Sequence, residues 1–322
     1  MKRSNRDKLI TVFGGSGFVG TQIVRVLAKR GYRVRVAVRR PDLAGHLQPL
    51  GSVGQIHAVQ ANLRYRDSVD RAVEGAWGVI NCVGILFNTG KQTFDDVQGE
   101  GTTAVAWAAR GAGVERLVHI SAIGADANSA SAYGRSKAAG EAGIRDGFPN
   151  GVVLRPSVIF GPGDDFMNKF AALARLMPVL PVVAPDTRFQ PVFVSDVAQA
   201  VVNALESGAG LYELGGPEVA SMRELMEKLL VVIERRRILV PVPYMVARMM
   251  AVFTQLMPKP LLTVDQLLML GYDNVVSQAA QGAGQTLEGL GVSPTAMDVI
   301  LPTYLEQYRR TGQYHTPVGN HS

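Results

Sequence analysis

The chain has 322 residues, of which 47% are hydrophobic and 19% are charged, and its formal net charge is +6. This composition excludes a disordered chain and predicts a large folded domain with an appended lobe. The single cysteine, Cys82, excludes an intramolecular disulfide, and we expect neither a signal peptide nor a transmembrane helix. The net positive charge favours binding to an anionic membrane surface or to an acidic protein. Because aromatic residues do not interleave with the arginines, we expect no nucleic-acid partner.

Short β-branched runs alternate with helical apolar spacing along the first half of the chain. The predicted strands cover residues 9–13, 33–38, 56–60, 79–83, 117–121 and 152–154. Helices are predicted between them, from about residue 21 to 28, 68 to 73, 94 to 109 and 136 to 145. Repeated alternation of strand and helix predicts the α/β class, with a Rossmann-type, doubly wound parallel sheet.

The regular alternation weakens after Pro156, where prolines become frequent. Beyond it the spacing predicts helices over 195–204, 222–234 and 244–256, and a strand over 238–242. We therefore predict a Rossmann-type domain over 1–175, a smaller and mainly helical lobe over 176–314 that partly interleaves with it, and an unstructured tail over 315–322.

A glycine-rich loop separates the first predicted strand from the first helix. Three glycines at a spacing of three residues allow a tight turn, a close approach of phosphate to the backbone and close packing of the helix on the sheet. The helix N-terminus adds free amides and a positive dipole end, which favour a pyrophosphate. The predicted cofactor loop consists of Gly14, Gly15, Ser16, Gly17, Phe18, Val19 and Gly20.

The end of the second strand distinguishes the two nicotinamide dinucleotides. An acidic residue there binds the ribose 2′-hydroxyl of NAD, whereas an arginine accommodates the 2′-phosphate of NADP. Arg39 and Arg40 stand at this position, so we expect NADPH to be preferred. Arg39 is the expected phosphate partner, and Arg40, which precedes Pro41, is the more expendable of the two.

Tyr133 and Lys137 lie four residues apart at the start of a predicted helix and therefore project from one face. A neighbouring ammonium favours the phenolate and makes a tyrosine a usable general acid. Ser121 ends the strand before this helix, where a doubly wound sheet collects its ligands. We predict that all three residues contact the cofactor region and form a catalytic set. This set is vestigial if the protein does not convert a substrate.

These motifs resemble the short-chain dehydrogenase/reductase superfamily, in its extended and atypical branch. The resemblance rests on the glycine loop, Ser121, Tyr133 with Lys137, and the segments 154–157, 161–163 and 190–197. A narrower resemblance, through 133–141, 145–149, 159–161 and 165–171, is to the NADPH-binding accessory subunits of respiratory complex I (NADH:ubiquinone oxidoreductase).

The narrower resemblance implies a subunit that holds NADPH as a fixed ligand on the peripheral arm, near the ubiquinone site, with other complex I subunits as partners. It implies a peripheral location on the cytoplasmic face of the cell membrane. It also implies further cofactor contacts: Asn62 and Leu63 at the adenine, Val83 and Gly84 at the adjoining ribose, and Pro156 with Ser157 on the nicotinamide side.

Two positions depart from the extended reductases. Gln98 stands where active members usually have asparagine, which puts a proton relay in doubt, and Asn62 replaces an aspartate that accepts from the adenine amino group. Two functions therefore stay open: an accessory subunit, or an NADP-dependent oxidoreductase or nucleotide-sugar epimerase. The methionine-rich segment 244–270 likewise packs within its own lobe or covers a partner or a membrane surface.

Overall fold

The computed structural model describes residues 4–255, 260, 262–310 and 312. Its strands are β1 (Leu9–Phe13), β2 (Arg33–Val38), β3 (Ile56–Gln60), β4 (Gly78–Asn81), β5 (Arg116–Ile120), β6 (Val152–Pro156), β7 (Ile159–Phe160), β8 (Val179–Val183), β9 (Arg188–Phe189), β10 (Val192–Phe193), β11 (Gly210–Leu214), β12 (Ala220–Ser221) and β13 (Ile238–Val242). Its α-helices are α1 (Phe18–Lys29), α2 (Arg66–Val73), α3 (Gly101–Gly111), α4 (Ala132–Gly147), α5 (Phe166–Leu176), α6 (Val194–Ala204), α7 (Met222–Val232), α8 (Tyr244–Thr254), α9 (Val264–Met269), α10 (Gln278–Gly282) and α11 (Met297–Leu305).

A parallel sheet of seven strands forms the centre of the molecule. Its spatial order is β3-β2-β1-β4-β5-β6-β11, and every neighbouring pair runs in parallel. The direction in which strands are added reverses between β1 and β4, and the crevice at such a switch point is where open α/β sheets bind ligands. The predicted class and the Rossmann-type sheet are confirmed.

Most predicted elements of the first half occur within a few residues of their expected bounds. The first three strands match, and β4 and β5 begin one residue early. The helix predicted over 94–109 is instead a π-helix, Asp95–Glu100, that continues into α3. Helix α4 begins four residues before its predicted start because the hydroxyl of Ser131 caps it, accepting from the N–H of Gly134.

The sequence pattern did not indicate β11, which extends the central sheet beyond β6. Helix α6 also belongs to this part of the molecule, because it packs against α1, with Val197 and Val201 buried in the same cluster as Ile23 and Leu27. Segment 192–214 therefore packs with the central sheet and α1 although it lies beyond residue 175. The division of the chain into two domains at that residue stays a prediction.

The C-terminal lobe has its own apolar core beside the sheet. Helices α5, α7 and α11 pack with β8 around it, and α7 begins at a capping box formed by Ser221 and Glu224. The predicted strand 238–242 is β13, which pairs with β8, and the predicted helix at 244–256 is α8, ending at Thr254. The predicted tail, 315–322, lies outside the described residues. Among the described helices, none is long and apolar enough to cross a membrane.

Two positions on α7, one buried and one exposed, test how much this second core contributes to the stability of the fold. Leu229 is fully buried, whereas Val231 on the same helix is 77% exposed. We expect Leu229→Ala to lower the free energy of unfolding by about 2–5 kcal/mol, because it leaves a cavity. The matched variant Val231→Ala should change it by no more than about 0.5 kcal/mol. Urea unfolding followed by circular dichroism measures both, and equal effects would contradict a packed core at Leu229.

Candidate functional site

The glycine loop places the N-terminus of α1 against the end of β1. Gly14 has a positive φ of 77°, and the N–H of Gly17 donates to its carbonyl at 3.0 Å. A Cβ at Gly20 would lie 2.2 Å from that same carbonyl oxygen, so only glycine permits this approach. No side chain caps α1 at Gly17, which leaves the first-turn amides for an anion. The cradle fits the pyrophosphate of a dinucleotide.

The two arginines after β2 have different surroundings. Arg40 forms an ion pair with Asp42, with an Nη2 to Oδ2 distance of 2.7 Å. Arg39 is exposed immediately beyond the end of β2, and within the described residues its guanidinium has no hydrogen bond or ion pair. The structure therefore leaves Arg39 available for a phosphate, whereas the guanidinium of Arg40 is already bound.

The residues predicted to contact the adenine and the ribose follow β3 and β4. Val83 follows β4, and its Cγ2 lies 3.1 Å from where a Cβ would stand on Gly14. Leu63 is buried against Gly101. The side-chain oxygen of Asn62 accepts from the N–H of Arg64 at 3.2 Å, so it stabilises its own turn. The fold thus brings Val83 to the glycine loop, whereas the carbonyl of Asn62 has a local partner.

Tyr133 and Lys137 come together as their spacing predicts. The Nζ of Lys137 lies 5.8 Å from the centre of the Tyr133 ring and donates to the carbonyl of Ile120 at 3.2 Å. A Cβ on Gly84 would lie 3.4 Å from this Nζ, so the ammonium faces the segment after β4. Burial lowers the pKa of Lys137 to about 8, although the negative charge of Glu141 opposes the shift.

An aspartate from the C-terminal lobe caps the helix that carries this pair. Asp265, in the first turn of α9, accepts from the hydroxyl of Ser131 at 2.8 Å, the N–H of Ala132 at 2.6 Å and the N–H of Tyr133 at 3.2 Å. Burial raises the pKa of the Tyr133 phenol to about 12, and the charge of Asp265 adds to the rise. Sequence reasoning did not identify Asp265, which stands 132 residues beyond Tyr133.

Ser121 directly follows β5, and its hydroxyl has a partner on α4. Its buried hydroxyl donates to Oε1 of Glu141 at 2.6 Å. Glu141 also accepts two hydrogen bonds from Arg155, at 2.8 Å and 2.7 Å, and Arg155 lies 3.8 Å from Glu213. This buried network satisfies the charges beneath the site. The hydroxyl proton of Ser121 is thus directed to Glu141, and a contact of Ser121 with the cofactor region stays a prediction.

Gln98 links the segment after β4 to α4. Its side-chain oxygen accepts from the N–H of Ile85 at 3.1 Å, and its amide donates to the hydroxyl of Ser136 at 2.9 Å. That hydroxyl donates in turn to the carbonyl of Tyr133 at 2.8 Å. Gln98 is buried and both ends of its side chain are bound, so it holds the two walls of the cleft together.

The segment that follows α9 is bonded to the end of β6 and to the segment after β5. The hydroxyl of Ser157 donates to Asn274, whose backbone carbonyl and side-chain oxygen lie 2.8 Å and 2.7 Å away. The amide of Asn274 donates to the carbonyl of Ile123 at 3.2 Å. Pro156, the last residue of β6, is buried beside this contact. Ser157 is thus bound to the C-terminal lobe at the side predicted for the nicotinamide.

Comparison with known proteins agrees with this geometry. Residues 10–215 match the NAD dependent epimerase/dehydratase family. NADH dehydrogenase (ubiquinone) 1 alpha subcomplex subunit 9 of Arabidopsis thaliana mitochondria is 32% identical over 94% of this chain and 78% of its own length. The 40 kDa mitochondrial NADH-ubiquinone oxidoreductase subunit of Neurospora crassa is 30% identical, with coverages of 95% and 81%. A protein named ceramide reductase, from Caulobacter vibrioides, is 34% identical over 60% of each chain.

Solved structures share the fold at lower identity. The enzyme WbmG of Bordetella bronchiseptica, solved in complex with NAD and UDP, superposes with a TM-score of 0.69 at 17% identity, covering 93% of each chain. The glycine cradle, the seven-stranded sheet and the family match agree with one another. The chain belongs to the NAD dependent epimerase/dehydratase family of the short-chain dehydrogenase/reductase type, and it is similar over almost its whole length to subunits of respiratory complex I.

Proposed function

We propose that this protein is an accessory subunit of respiratory complex I that holds NADPH as a fixed ligand. The observation that carries the proposal is the extent of the sequence likeness. The family match ends at residue 215, whereas the likeness to the Arabidopsis complex I subunit covers 94% of the chain and so includes most of the C-terminal lobe. That lobe contributes Asp265 and Asn274, which support the proposed cofactor site from outside the region of the family match.

The preference for NADPH over NADH rests on the end of β2. Arg39 is exposed there without a carboxylate partner among the described residues, and the nearby Asp42 is bound to Arg40. A free guanidinium attracts the 2′-phosphate, and the acidic residue that would bind a 2′-hydroxyl is missing from this position. The charge pattern therefore favours NADPH.

Retention of the cofactor without turnover is supported by the state of the candidate catalytic residues. General acid catalysis is most efficient when the pKa of the acid lies near the working pH. Burial and Asp265 instead raise the pKa of Tyr133 to about 12. The hydroxyl of Ser121 donates to Glu141, and Gln98 occupies the position of the usual relay asparagine. These features suit a binding site better than a turnover site.

The proposed location follows from the proposed partners. A subunit of complex I that binds other subunits of the peripheral arm near the quinone site lies close to the membrane without crossing it. In a bacterial-type cell this corresponds to the cytoplasmic face of the cell membrane.

A second candidate is an NADP-dependent oxidoreductase or a nucleotide-sugar epimerase. The observation that favours it is the retained pair of Tyr133 and Lys137, whose ammonium lies 5.8 Å from the phenol ring. The likeness to the protein named ceramide reductase points the same way for a reductase, although it covers 60% of the chain.

Substitution of Asp265 tests the electrostatic state of Tyr133. We expect Asp265→Asn to lower the pKa of the Tyr133 phenol below about 12, because a nearby negative charge that favours the neutral form is removed. Absorbance at 295 nm, titrated with pH and corrected with the Tyr133→Phe form of each variant, reports this group alone. An unchanged titration would show that burial sets the pKa without Asp265.

Substitution of Arg39 tests the cofactor preference. We expect Arg39→Gln to weaken NADPH binding by at least about tenfold and to leave NADH binding unchanged, since a hydrogen bond to a charged group contributes about 1.5–3 kcal/mol. Arg40→Gln is the matched control and should change neither affinity much, because Arg40 is bound to Asp42. Fluorescence titration measures both cofactors. Equal loss for NADPH and NADH would remove Arg39 from this role.

Purification from membranes tests the proposed assembly. We expect the tagged full chain to co-migrate with complex I after solubilisation in mild detergent, and to retain NADPH that is not oxidised when carbonyl or quinone substrates are added. A native gel and enzymatic assay of the bound cofactor give the two readouts. A chain that migrates alone, releases its cofactor readily and oxidises NADPH rapidly would support the oxidoreductase instead.

A further inference from the structure

Helix α8 exposes apolar side chains around most of its circumference. Met245 and Phe253 are each 68% exposed and Met249 is 61% exposed, whereas Ala247 and Ala251 are fully buried. The contact of α8 with the rest of the lobe is thus a narrow stripe of small residues. Monomeric soluble proteins rarely expose apolar side chains so densely, and a surface of this kind marks a partner or a membrane.

The two-stranded sheet that precedes α8 continues this apolar surface. Ile238 is 67% exposed and pairs in register with the exposed Val179 on β8, and Val240 follows on the same side of β13. The opposite side of the sheet is packed, with Leu180 and Val182 buried in the lobe's core. Pro243 joins β13 directly to α8. We call the exposed residues of β8, β13 and α8 the β13–α8 surface.

Positive charge accumulates at one end of this surface. Burial lowers the pKa of the Arg235 guanidinium, and the positive charges of Arg237, Arg175 and Arg310 lower it further. These four arginines are therefore close to one another. Arg235 and Arg237 are anchored to the backbone carbonyls of residues 308 and 174, and none of the four forms an ion pair within the described part of the chain. The neighbouring carboxylate of Glu234 is paired with Arg309, so these four like charges are left to attract an anionic partner.

The sequence shows the same bias along the whole segment. From residue 235 to residue 264 the chain carries five basic residues and no acidic one. The basic residues of this segment are Arg235, Arg236, Arg237, Arg248 and Lys259. A protein groove would cover one face of α8, whereas acyl chains adapt to a helix exposed on several sides. Anionic headgroups supply the negative charge that the arginines lack.

We propose that the β13–α8 surface lies in the interfacial region of a bilayer that contains anionic phospholipids, with the arginines at the level of the phosphates. The inference rests on the proposed function and deepens it, because it names the contact by which the peripheral subunit meets the membrane. The apolar side chains of α8 enter the boundary between headgroups and acyl chains, and Arg236 and Arg248 remain at the headgroups.

Vesicle co-sedimentation of the purified full chain tests the proposal. The vesicles contain phosphatidylcholine alone, or phosphatidylcholine with phosphatidylglycerol at a ratio of about 7:3, a composition chosen to supply a negative surface. We expect the wild type to sediment with the anionic vesicles and far less with the neutral ones, and salt should weaken the difference.

Two variants separate the apolar and electrostatic contributions. Met249→Glu/Phe253→Glu should abolish sedimentation, because it places carboxylates in the membrane interface. Arg175→Gln/Arg236→Gln/Arg248→Gln should weaken binding to anionic vesicles on the order of a hundredfold, because each charge near the surface contributes about fivefold. This triple variant keeps Arg235 and Arg237, whose side chains bond to the backbone.

Matched controls carry the same charge changes elsewhere. Val53→Glu/Val219→Glu substitutes residues that are 107% and 51% exposed. Arg33→Gln/Arg71→Gln/Arg116→Gln removes three exposed arginines of β2, α2 and β5, which are not part of the β13–α8 surface. Both should bind vesicles as the wild type does, and all variants should keep their bound NADPH. Retained NADPH also shows that each variant is folded.

Three results would overturn the proposal. The wild type stays in the supernatant with both vesicles, or the controls lose as much binding as the test variants. In the third result, sedimentation velocity shows that the wild type is a dimer and that Met249→Glu/Phe253→Glu is a monomer. The surface would then bind a second copy of the chain. If the wild type co-migrates with complex I but does not bind vesicles, this inference is refuted and the proposed function is not.

Discussion

The contact between helix α1 and the strand before it determines where a dinucleotide can lie. Gly20 stands so close to the carbonyl of Gly14 that a Cβ would be 2.2 Å from the oxygen. The start of helix α1 therefore packs directly on the glycine loop, and its first backbone N–H groups are directed to the crevice. Its other side packs against α6, which ties the second half of the chain to the same helix. The cofactor cradle and the join between the two halves thus depend on one close approach.

Polar residues beneath the site serve mainly to hold its walls. Glu141 binds both Ser121 and Arg155, and Gln98 joins the segment after β4 to α4. Removing one partner of such a buried network leaves an uncompensated group, which costs more than an exposed pair would. This arrangement explains how a chain keeps Tyr133 and Lys137 in place while the hydroxyl that would complete a catalytic set is bound elsewhere.

The sequence predicts local features of the fold well because their causes are local. The bounds of β1, β2 and β3 follow from β-branched runs, and the glycine spacing predicts the cradle. The ion pair of Arg40 is also visible in the local sequence, because its partner Asp42 stands two residues away. The position of Tyr133 and Lys137 follows from their helical spacing.

The features that the sequence does not predict depend on distant partners. No local pattern tells which helix Asp265 caps, because the capped amides lie more than 130 residues earlier. Strand β11 has an ordinary short apolar pattern, and only its register with β6 places it in the central sheet. Ser121 directly follows β5, yet its hydrogen-bond partner is determined by the packing of α4, which brings Glu141 to it.

The C-terminal lobe reaches the cofactor cleft along a short path of contacts. Helix α8 packs against α9, α9 packs against α4, and Asp265 of α9 accepts from the first amides of the helix that carries Tyr133. These bonds measure 2.6–3.2 Å, the usual range for hydrogen bonds, so a shift of α9 away from α4 lengthens them beyond that range. A surface contact that holds α8 therefore also holds Asp265, and with it the position and the charge environment of Tyr133.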